Sequence, residues 1–162
     1  MPGGGESCAN RVPVSTDSIH HQPCPGVTVG ECFGASRGLT GDDLALAVRL
    51  TRGTHPVHVS DDAAQAAGLR GRIFHGAVTA AIQAAAIGAR FSQDRIALMG
   101  QDNRYLLPVY PGDTLEASWT VLEVRPARQP ARWLLELTGQ TRNQHGNVVL
   151  ESRAQVMWML PR

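Results

Sequence analysis

The chain has 162 residues, of which 43% are hydrophobic and 18% charged, so it can form one folded domain with a buried core. The formal net charge is +1. The chain therefore has neither the excess of basic residues typical of nucleic-acid binding nor the excess of acidic residues typical of a solvating tail. All 15 Lys-plus-Arg positions are arginine, and the absence of lysine excludes a Schiff-base lysine, a P-loop lysine and a Ser–Lys dyad.

Residues 1–30 are rich in Gly, Pro, Ser and Cys without a period, which predicts a loose N-terminal arm. This arm has no apolar stretch typical of a signal peptide, and the longest apolar run, residues 76–89, is shorter than the ~20 residues of a membrane span. A cytoplasmic protein that binds neither membrane nor nucleic acid is expected. No metal site is predicted, because standard zinc spacing is absent from the candidate ligands Cys8, His20, His21 and Cys24.

Residues 31–162 are predicted to form a single domain. A short strand over residues 31–39 leads into a helix with Thr40 as its N-cap, because two aspartates follow in what would be the positive first turn. The next stretch contains glycine and proline and cannot be regular helix throughout. Ser60 then begins another short helix, which ends at Gly68.

Residues 75–90 form the most informative segment. They combine high helix propensity with side chains that are apolar or small on every face, which predicts a helix buried all round. Gln83 is the one long polar side chain in the middle of this helix. It either faces a substrate tunnel or forms a hydrogen bond to a neighbouring strand.

From Arg95 onward the hydrophobic period changes to two, which predicts long antiparallel strands with one face toward solvent. Turn-forming Pro, Gly, Asp and Asn residues separate these strands. A run of strands after one buried helix predicts an α+β fold in which the sheet wraps around the helix. The three tryptophans are expected in its core, among the in-phase residues Leu115, Ala117, Trp119, Val121, Trp133, Leu135, Leu137, Val148, Leu150, Ala154, Val156 and Trp158.

Three motifs make the sequence recognisable. They are Thr-His-Pro-Val-His at 54–58, Gly-Arg-Ile-Phe-His-Gly at 71–76, and Leu-Leu-Pro-Val-Tyr-Pro-Gly-Asp-Thr-Leu at 106–115. In this order and spacing they resemble the MaoC-like (R)-specific enoyl-CoA hydratase/dehydratase family, over about residues 31–160. The resemblance implies the hotdog fold, an antiparallel sheet wrapped around a central helix, and a dimer that joins two such sheets.

The resemblance also implies a mechanism. Family members add water to, or eliminate it from, an acyl thioester carried by CoA or a carrier protein, through the pattern Asp-x-Asn-Pro-(aliphatic)-His. The Asp and His share the acid and base work, and the thioester carbonyl points at the N–H that begins the buried helix. Carried over by motif position, the catalytic histidine is His58 and the oxyanion donor is the N–H of Gly76. No cofactor is expected.

The family pattern is broken where the aspartate belongs. Gly53 stands at that position, His55 stands at the Asn position, and Arg52 replaces the usual glycine before them. His55 either pairs with His58 as acid and base or only steadies the loop. Arg52 either binds a carboxylate or phosphate of the substrate or is a solvated loop residue.

Other residues near these motifs have simpler interpretations. Asp61 and Asp62 are explained by the start of a helix, which disfavours them as replacement carboxylates. His75 is interpreted as structural, and no chemistry is assigned to it.

The favoured function is therefore a hydratase/dehydratase-type lyase or isomerase with a rearranged site, in fatty-acid or specialised, polyketide-like metabolism. The missing carboxylate favours double-bond migration, elimination of a better leaving group, or a cyclisation over simple hydration. One alternative is a non-catalytic hotdog subunit that pairs with an active chain instead of forming a homodimer. A thioesterase is disfavoured, because residues 76–89 lack the Asp or Glu that hotdog thioesterases commonly carry there.

Overall fold

A computed structural model describes residues 24–160. The elements follow in the order expected from the sequence, with one short strand first, then the helices, and then a run of strands. They are β1 (Cys32–Gly38), α1 (Gly41–Thr51), α2 (Pro56–Val59), α3 (Asp61–Ala66), α4 (Gly76–Arg90), β2 (Arg95–Tyr105), β3 (Thr114–Pro126), β4 (Arg132–Asn143) and β5 (Val148–Met159). No helix within these residues is long and apolar enough to cross a membrane.

The strands form one antiparallel sheet in the order β1-β3-β4-β5-β2, with β1 and β2 at its edges. Helix α4 packs against β1, β3, β4 and β5. The predicted α+β architecture, a sheet wrapped around one central helix, is confirmed.

The inward faces of β3, β4 and β5 form the core. Trp119, Trp133 and Trp158 are buried in it, as the period-two pattern predicts. One predicted core residue is wrong, since the structure buries Val149 and leaves Val148 only half-buried. The pairing of β4 with β5 shifts after Thr141, and this irregularity moves the first residue of β5 out of phase.

The two predicted helix starts are confirmed by their caps. The side chain of Thr40 accepts a hydrogen bond from the N–H of Asp43 at 3.1 Å, and the Asp43 carboxylate accepts one from the N–H of Thr40 at 2.9 Å. This reciprocal pair is a capping box. At the start of α3, the hydroxyl of Ser60 accepts a hydrogen bond from the N–H of Ala63 at 3.2 Å.

The packed part of the chain begins before residue 31, where the loose arm was expected to end. Cys24 and Val27 are buried in the core cluster, and the N–H of Gly30 donates to the carbonyl of Val121 at 2.8 Å. Cys8, His20 and His21 lie outside the described residues.

Helix α4 is not buried all round in the single chain, so that prediction is wrong. Its inner face is buried against the sheet, but Ala77, Ala81, Ala85 and Gly88 are exposed on the opposite face. The all-apolar composition predicts burial but not which element provides it, and the sheet of one chain covers one side of the helix only.

Gln83 fastens α4 to the sheet. Its side chain is fully buried, and the hydroxyls of Thr141 and Ser152 lie 3.0 and 3.1 Å from its amide oxygen. Its main-chain carbonyl accepts a hydrogen bond from the indole N–H of Trp119 at 2.8 Å. Gly139 leaves room for this side chain, because a Cβ atom there would lie 2.6 Å from the carbonyl oxygen of Ser118 and closer still to the Gln83 amide. The structure thus places Gln83 against neighbouring strands, the second of the two interpretations.

Replacing Gln83 by leucine is expected to lower the free energy of unfolding by about 1–3 kcal/mol, because the buried hydroxyl of Thr141 loses its acceptor. Urea denaturation followed by tryptophan fluorescence measures the change. Gln93→Leu, at an exposed position just after α4, is the control and is expected to stay within about 0.5 kcal/mol of the parent. Equal effects of the two substitutions would show that the Gln83 bonds add nothing.

Candidate active site

The three motifs meet at the segment that precedes α4. The N–H of Ile73 donates to the carbonyl of Val57 at 3.1 Å, and the N–H of Phe74 donates to the carbonyl of Val109 at 2.8 Å. The segment is therefore hydrogen-bonded to the first motif through one residue and to the third motif through the next. The start of α4 has a fixed position relative to both.

Asp113 supports this arrangement from the third motif. Its buried carboxylate accepts hydrogen bonds from the N–H of Tyr110 at 2.8 Å, from the guanidinium of Arg70 at 2.9 Å and from the amide of Gln144 at 3.0 Å. A buried charge with three donors is adequately solvated by the protein. The Pro-Gly-Asp motif therefore has a structural role here, as it holds the turn that carries Val109.

His58 lies in the single turn of α2, which begins with Pro56, a residue suited to the first position of a helix. Its Nδ1 is 2.8 Å from the carbonyl oxygen of Ile73. Because a carbonyl oxygen only accepts, Nδ1 carries the proton, and neutral His58 has its lone pair on Nε2. The side chain is thus arranged as a base at Nε2.

Burial lowers the pKa of the half-buried His58 side chain. The hydrogen bond to Ile73 opposes this shift, and the nearby imidazoles of His75 and His55 lower the pKa further. The net direction favours the neutral ring, which is the form that accepts a proton.

His75 lies between His58 and the residue at the position of the missing carboxylate. Its ring stacks on that of His58 with 3.8 Å between centroids and 30° between planes. Its Nε2 is 2.9 Å from the carbonyl oxygen of Gly53. Sequence reasoning treated His75 as structural, and no local signal links it to Gly53, 22 positions earlier in the chain.

Gly76 is the first residue of the 15-residue helix α4. Its N–H has no acceptor within the helix, and the side chain of His75 forms no capping bond there. The ring of Tyr105 lies against Gly76, where a Cβ atom would come within 2.9 Å of it. Within residues 24–160 this N–H donates to no acceptor. An N–H without a partner at the positive end of a helix suits a developing negative charge.

The remaining predicted residues lie at the edge of this site or away from it. His55 is exposed at the N-cap of α2, its side chain forms no capping bond, and its ring centroid is 6.2 Å from that of His58. Arg52 is an exposed C-cap of α1 in the left-handed conformation, with φ of 53°. Asp61 is turned toward Arg72, whose N–H donates to its carboxylate at 2.9 Å. Gln83 belongs to the helix–sheet contact described above.

No group of three or more His, Cys, Asp or Glu side chains within residues 24–160 is arranged to hold a metal ion. Two hollows on the surface of the same residues lie away from His58. One is on the outer face of the sheet beside Asp102 and Arg153, and the other lies beside Tyr110. Neither includes His58 or Gly76 among its lining residues.

Comparison with known proteins decides the family, since the model of the MaoC-like domain matches residues 29–137, about two thirds of the chain. The chain belongs to the MaoC-like dehydratase family. The resemblance carried by the three motifs is thereby confirmed, and so is the hotdog fold.

Curated and solved relatives of this MaoC-like chain agree with the assignment. An (R)-specific enoyl-CoA hydratase from Rhodospirillum rubrum is 29% identical over 89% of this chain and 96% of its own length. The R-hydratase PhaJ1 from Pseudomonas aeruginosa superposes with a TM-score of 0.73 and 27% identity, covering 83% of this chain and 84% of that one. A structure of the HadBC (3R)-hydroxyacyl-ACP dehydratase complex from Mycobacterium tuberculosis has a TM-score of 0.68 at 18% identity, covering 80% and 96%, and shows the shared fold alone.

His58 is expected to titrate below the ordinary histidine pKa of about 6.5. The unfolded state then binds more protons below that pH, so the contribution of His58 to stability is present above about pH 6.5 and declines as the pH falls. An NMR titration of the imidazole protons, assigned with His58→Gln, measures the midpoint. A midpoint at or above the ordinary value would contradict the burial of this ring.

Proposed function

We propose that this MaoC-like chain is a lyase or isomerase that acts on an acyl thioester of CoA or of a carrier protein, with His58 as its proton-transfer group. The observation that carries the proposal is the position of His58. Its Nε2 is a base, and its ring stacks on the residue that immediately precedes the free N–H of Gly76. The hydratase relative supports the substrate class.

The chemistry begins with the thioester carbonyl bound at the N–H of Gly76. This N–H and the dipole of α4 stabilise the negative charge that develops on the carbonyl oxygen when a proton leaves the acyl chain. His58 accepts that proton at Nε2. Its Nδ1–H remains bonded to the carbonyl of Ile73, which stabilises the positive ring that forms.

The glycine at position 53 argues against simple hydration as the reaction of this chain. Glycine has no side chain to orient or deprotonate water at the position that the family pattern assigns to aspartate. Double-bond migration needs one base only, because the same group removes a proton from C4 of a 2-enoyl thioester and returns it to C2. Elimination of a better leaving group, or a cyclisation, also proceeds without a carboxylic acid to protonate a departing hydroxyl group. We therefore favour these reactions.

His58→Gln is expected to reduce turnover by about 10²–10⁴-fold, with little change in KM, because it removes the base and retains a similar shape. Enoyl absorbance and mass spectrometry of the products, over a panel of 2-enoyl- and 3-hydroxyacyl-CoA thioesters, provide the measurement.

His145→Gln, in the exposed β4–β5 connection, is the matched control and should keep the parent activity. Full turnover in His58→Gln would contradict the proposal. Release of free thiol from saturated acyl-CoA as the main reaction would favour a thioesterase in its place.

Gly53 also favours a second candidate, a non-catalytic hotdog subunit. The HadBC dehydratase, one of whose chains shares this fold, is a complex. In that case the isolated chain lacks turnover, and activity arises only after addition of a hotdog chain with an intact Asp-x-Asn-Pro-x-His motif. A second hotdog reading frame beside this one would favour the same candidate.

We propose that two copies of the chain pair through β2, since the edge of this strand opposite β5 has no partner strand within residues 24–160. Leu98 and Met99 are exposed on it, with 46% and 59% of their surfaces accessible, beside an irregularity in its pairing with β5. Pairing would bury this apolar surface and join the two sheets.

Light scattering after gel filtration is expected to give twice the mass of one chain. Leu98→Arg should shift the population toward monomer, because it places a charge in the pairing edge. Leu46→Arg, on α1 at a similarly exposed leucine, should not. Equal behaviour of the two variants, or a wild-type monomer that turns over substrate, would contradict pairing through β2.

A further inference from the structure

One of the two surface hollows lies where the third motif meets the β4–β5 turn, and its volume is about 200 Å³. Its lining includes Arg70, Leu107, Pro108, Tyr110 and Asn143, and it is referred to below as the Tyr110 hollow. A pocket that encloses a whole drug-sized ligand has roughly 300–1,000 Å³. The smaller Tyr110 hollow therefore suits one ring system of a larger molecule. None of these five side chains takes part in the proposed proton transfer.

The guanidinium of Arg70 forms a flat surface in this hollow. One face lies over the ring of Tyr110, with 3.9 Å between the guanidinium carbon and the ring centroid. One edge donates a hydrogen bond to the carboxylate of Asp113 at 2.9 Å. These two contacts fix the plane of the group, yet 60% of the Arg70 side chain is accessible. The second face is therefore open, and a guanidinium plane is a surface on which nucleobases stack.

The charge of the hollow favours a neutral ring over a phosphate group. The buried carboxylate of Asp113 balances the charge of Arg70, so the pair has no net charge. A phosphate in contact with Arg70 would also lie close to this carboxylate, which repels it. Leu107 is 45% exposed and adds apolar surface to the lining. An uncharged flat base avoids the repulsion and covers part of this apolar surface.

The side chain of Asn143 supplies a hydrogen-bond donor to the same hollow. Its Oδ1 accepts hydrogen bonds from two N–H groups of the β4–β5 turn, each at 3.1 Å. These bonds identify the other end of the amide as the nitrogen, and within residues 24–160 this Nδ2 donates to no acceptor. Asparagine amides pair with adenine, whose ring nitrogens accept hydrogen bonds. The donor therefore suits the edge of an adenine ring.

The hollow lies within reach of a thioester bound at Gly76. Tyr110 follows Val109 in the chain, and the carbonyl of Val109 accepts a hydrogen bond from the N–H of Phe74 at 2.8 Å. Phe74 comes two residues before Gly76. These steps put the Cα of Tyr110 less than about 20 Å from the Cα of Gly76. CoA carries its adenine at the far end of a flexible pantetheine and pyrophosphate chain, which spans such a distance. A carrier protein holds the same pantetheine without an adenine.

We propose that the Tyr110 hollow binds the adenine base of a CoA thioester, with the base stacked on the open face of Arg70 and one of its ring nitrogens bonded to Asn143. The inference rests on the proposed function and narrows it, since it selects CoA over a carrier protein as the thiol that carries the acyl group. Recognition at this hollow belongs to the base and not to the 3′-phosphate.

The first test measures binding without turnover. Calorimetric titration of the full chain gives Kd for CoA, for dephospho-CoA, which lacks the 3′-phosphate, and for 4′-phosphopantetheine, which lacks the adenosine. Dephospho-CoA should bind within about threefold of CoA. Phosphopantetheine should bind at least about tenfold more weakly, as the loss of one stacked base predicts. Equal Kd values for CoA and phosphopantetheine would overturn the inference and favour a carrier-borne substrate, and so would a tenfold loss on removal of the 3′-phosphate alone.

The second test separates stacking from the ion pair. In Arg70→Lys the new side chain still pairs with Asp113 but has no flat face. Its Kd for CoA should rise about tenfold while its Kd for phosphopantetheine stays unchanged. Arg37→Lys is the matched control, because Arg37 is also 60% accessible and pairs with Asp43 at 3.1 Å, outside the hollow. Equal Kd values for CoA in the two variants would overturn the inference.

A measurement on the unmodified chain covers the case in which Arg70→Lys fails to fold. Saturation-transfer NMR with CoA should show transfer from the protein to the H2 and H8 protons of adenine. Its absence at concentrations where CoA binds would overturn the inference, because a stacked base lies in van der Waals contact with the protein.

The kinetic test uses the same acyl group on two thiols. In Arg70→Lys, KM for a 2-enoyl-CoA should rise about tenfold with kcat within about twofold, because a remote base binds equally in the ground state and the transition state. KM for the corresponding pantetheine thioester should not change. An unchanged KM for the CoA thioester would overturn the inference. Absence of turnover in the parent contradicts the proposed function instead, and the binding measurements then decide this inference.

Discussion

The short extended segment before α4 is held on both sides, and the arrangement of the site depends on that constraint. The backbone N–H of Ile73 is bonded to the carbonyl of Val57, and that of Phe74 to the carbonyl of Val109. The two bonds set where α4 begins and how far its first N–H lies from the turn that carries His58. The carbonyl of Ile73 accepts a hydrogen bond from Nδ1 of His58, so the same segment positions the helix and selects the tautomer of the base.

A second constraint acts at the middle of α4. The buried amide of Gln83 bonds to the hydroxyls of β4 and β5, and its main-chain carbonyl accepts from Trp119 on β3, in an otherwise apolar interface. An apolar helix against an apolar sheet can slide or rotate at small cost, whereas a polar group with defined partners favours one register. The hydrogen bonds of Gln83 therefore help to keep the N-terminus of α4 directed at the site about two turns away.

Some of this was predictable from the sequence because it is local. Thr40 and Ser60 cap helices through residues three positions away, and the alternating strands place each tryptophan in the core without knowledge of its neighbours. The three motifs gave the site through family resemblance. The contact of His75 with Gly53 was not predictable, because it is a hydrogen bond between two loops that lie 22 positions apart in the chain. The exposed face of α4 was missed because an apolar composition indicates that a helix is buried but not which elements bury it.

The hydrogen bond between His58 and Ile73 has a consequence for the route by which a proton leaves the site. Because Nδ1 already donates to a carbonyl oxygen, a proton that His58 takes up enters and leaves through Nε2. The ring therefore does not relay protons into the interior of the protein. In the proposed reaction, a proton removed from the acyl chain returns to it from the same side, so the product keeps the stereochemistry of a transfer on one face.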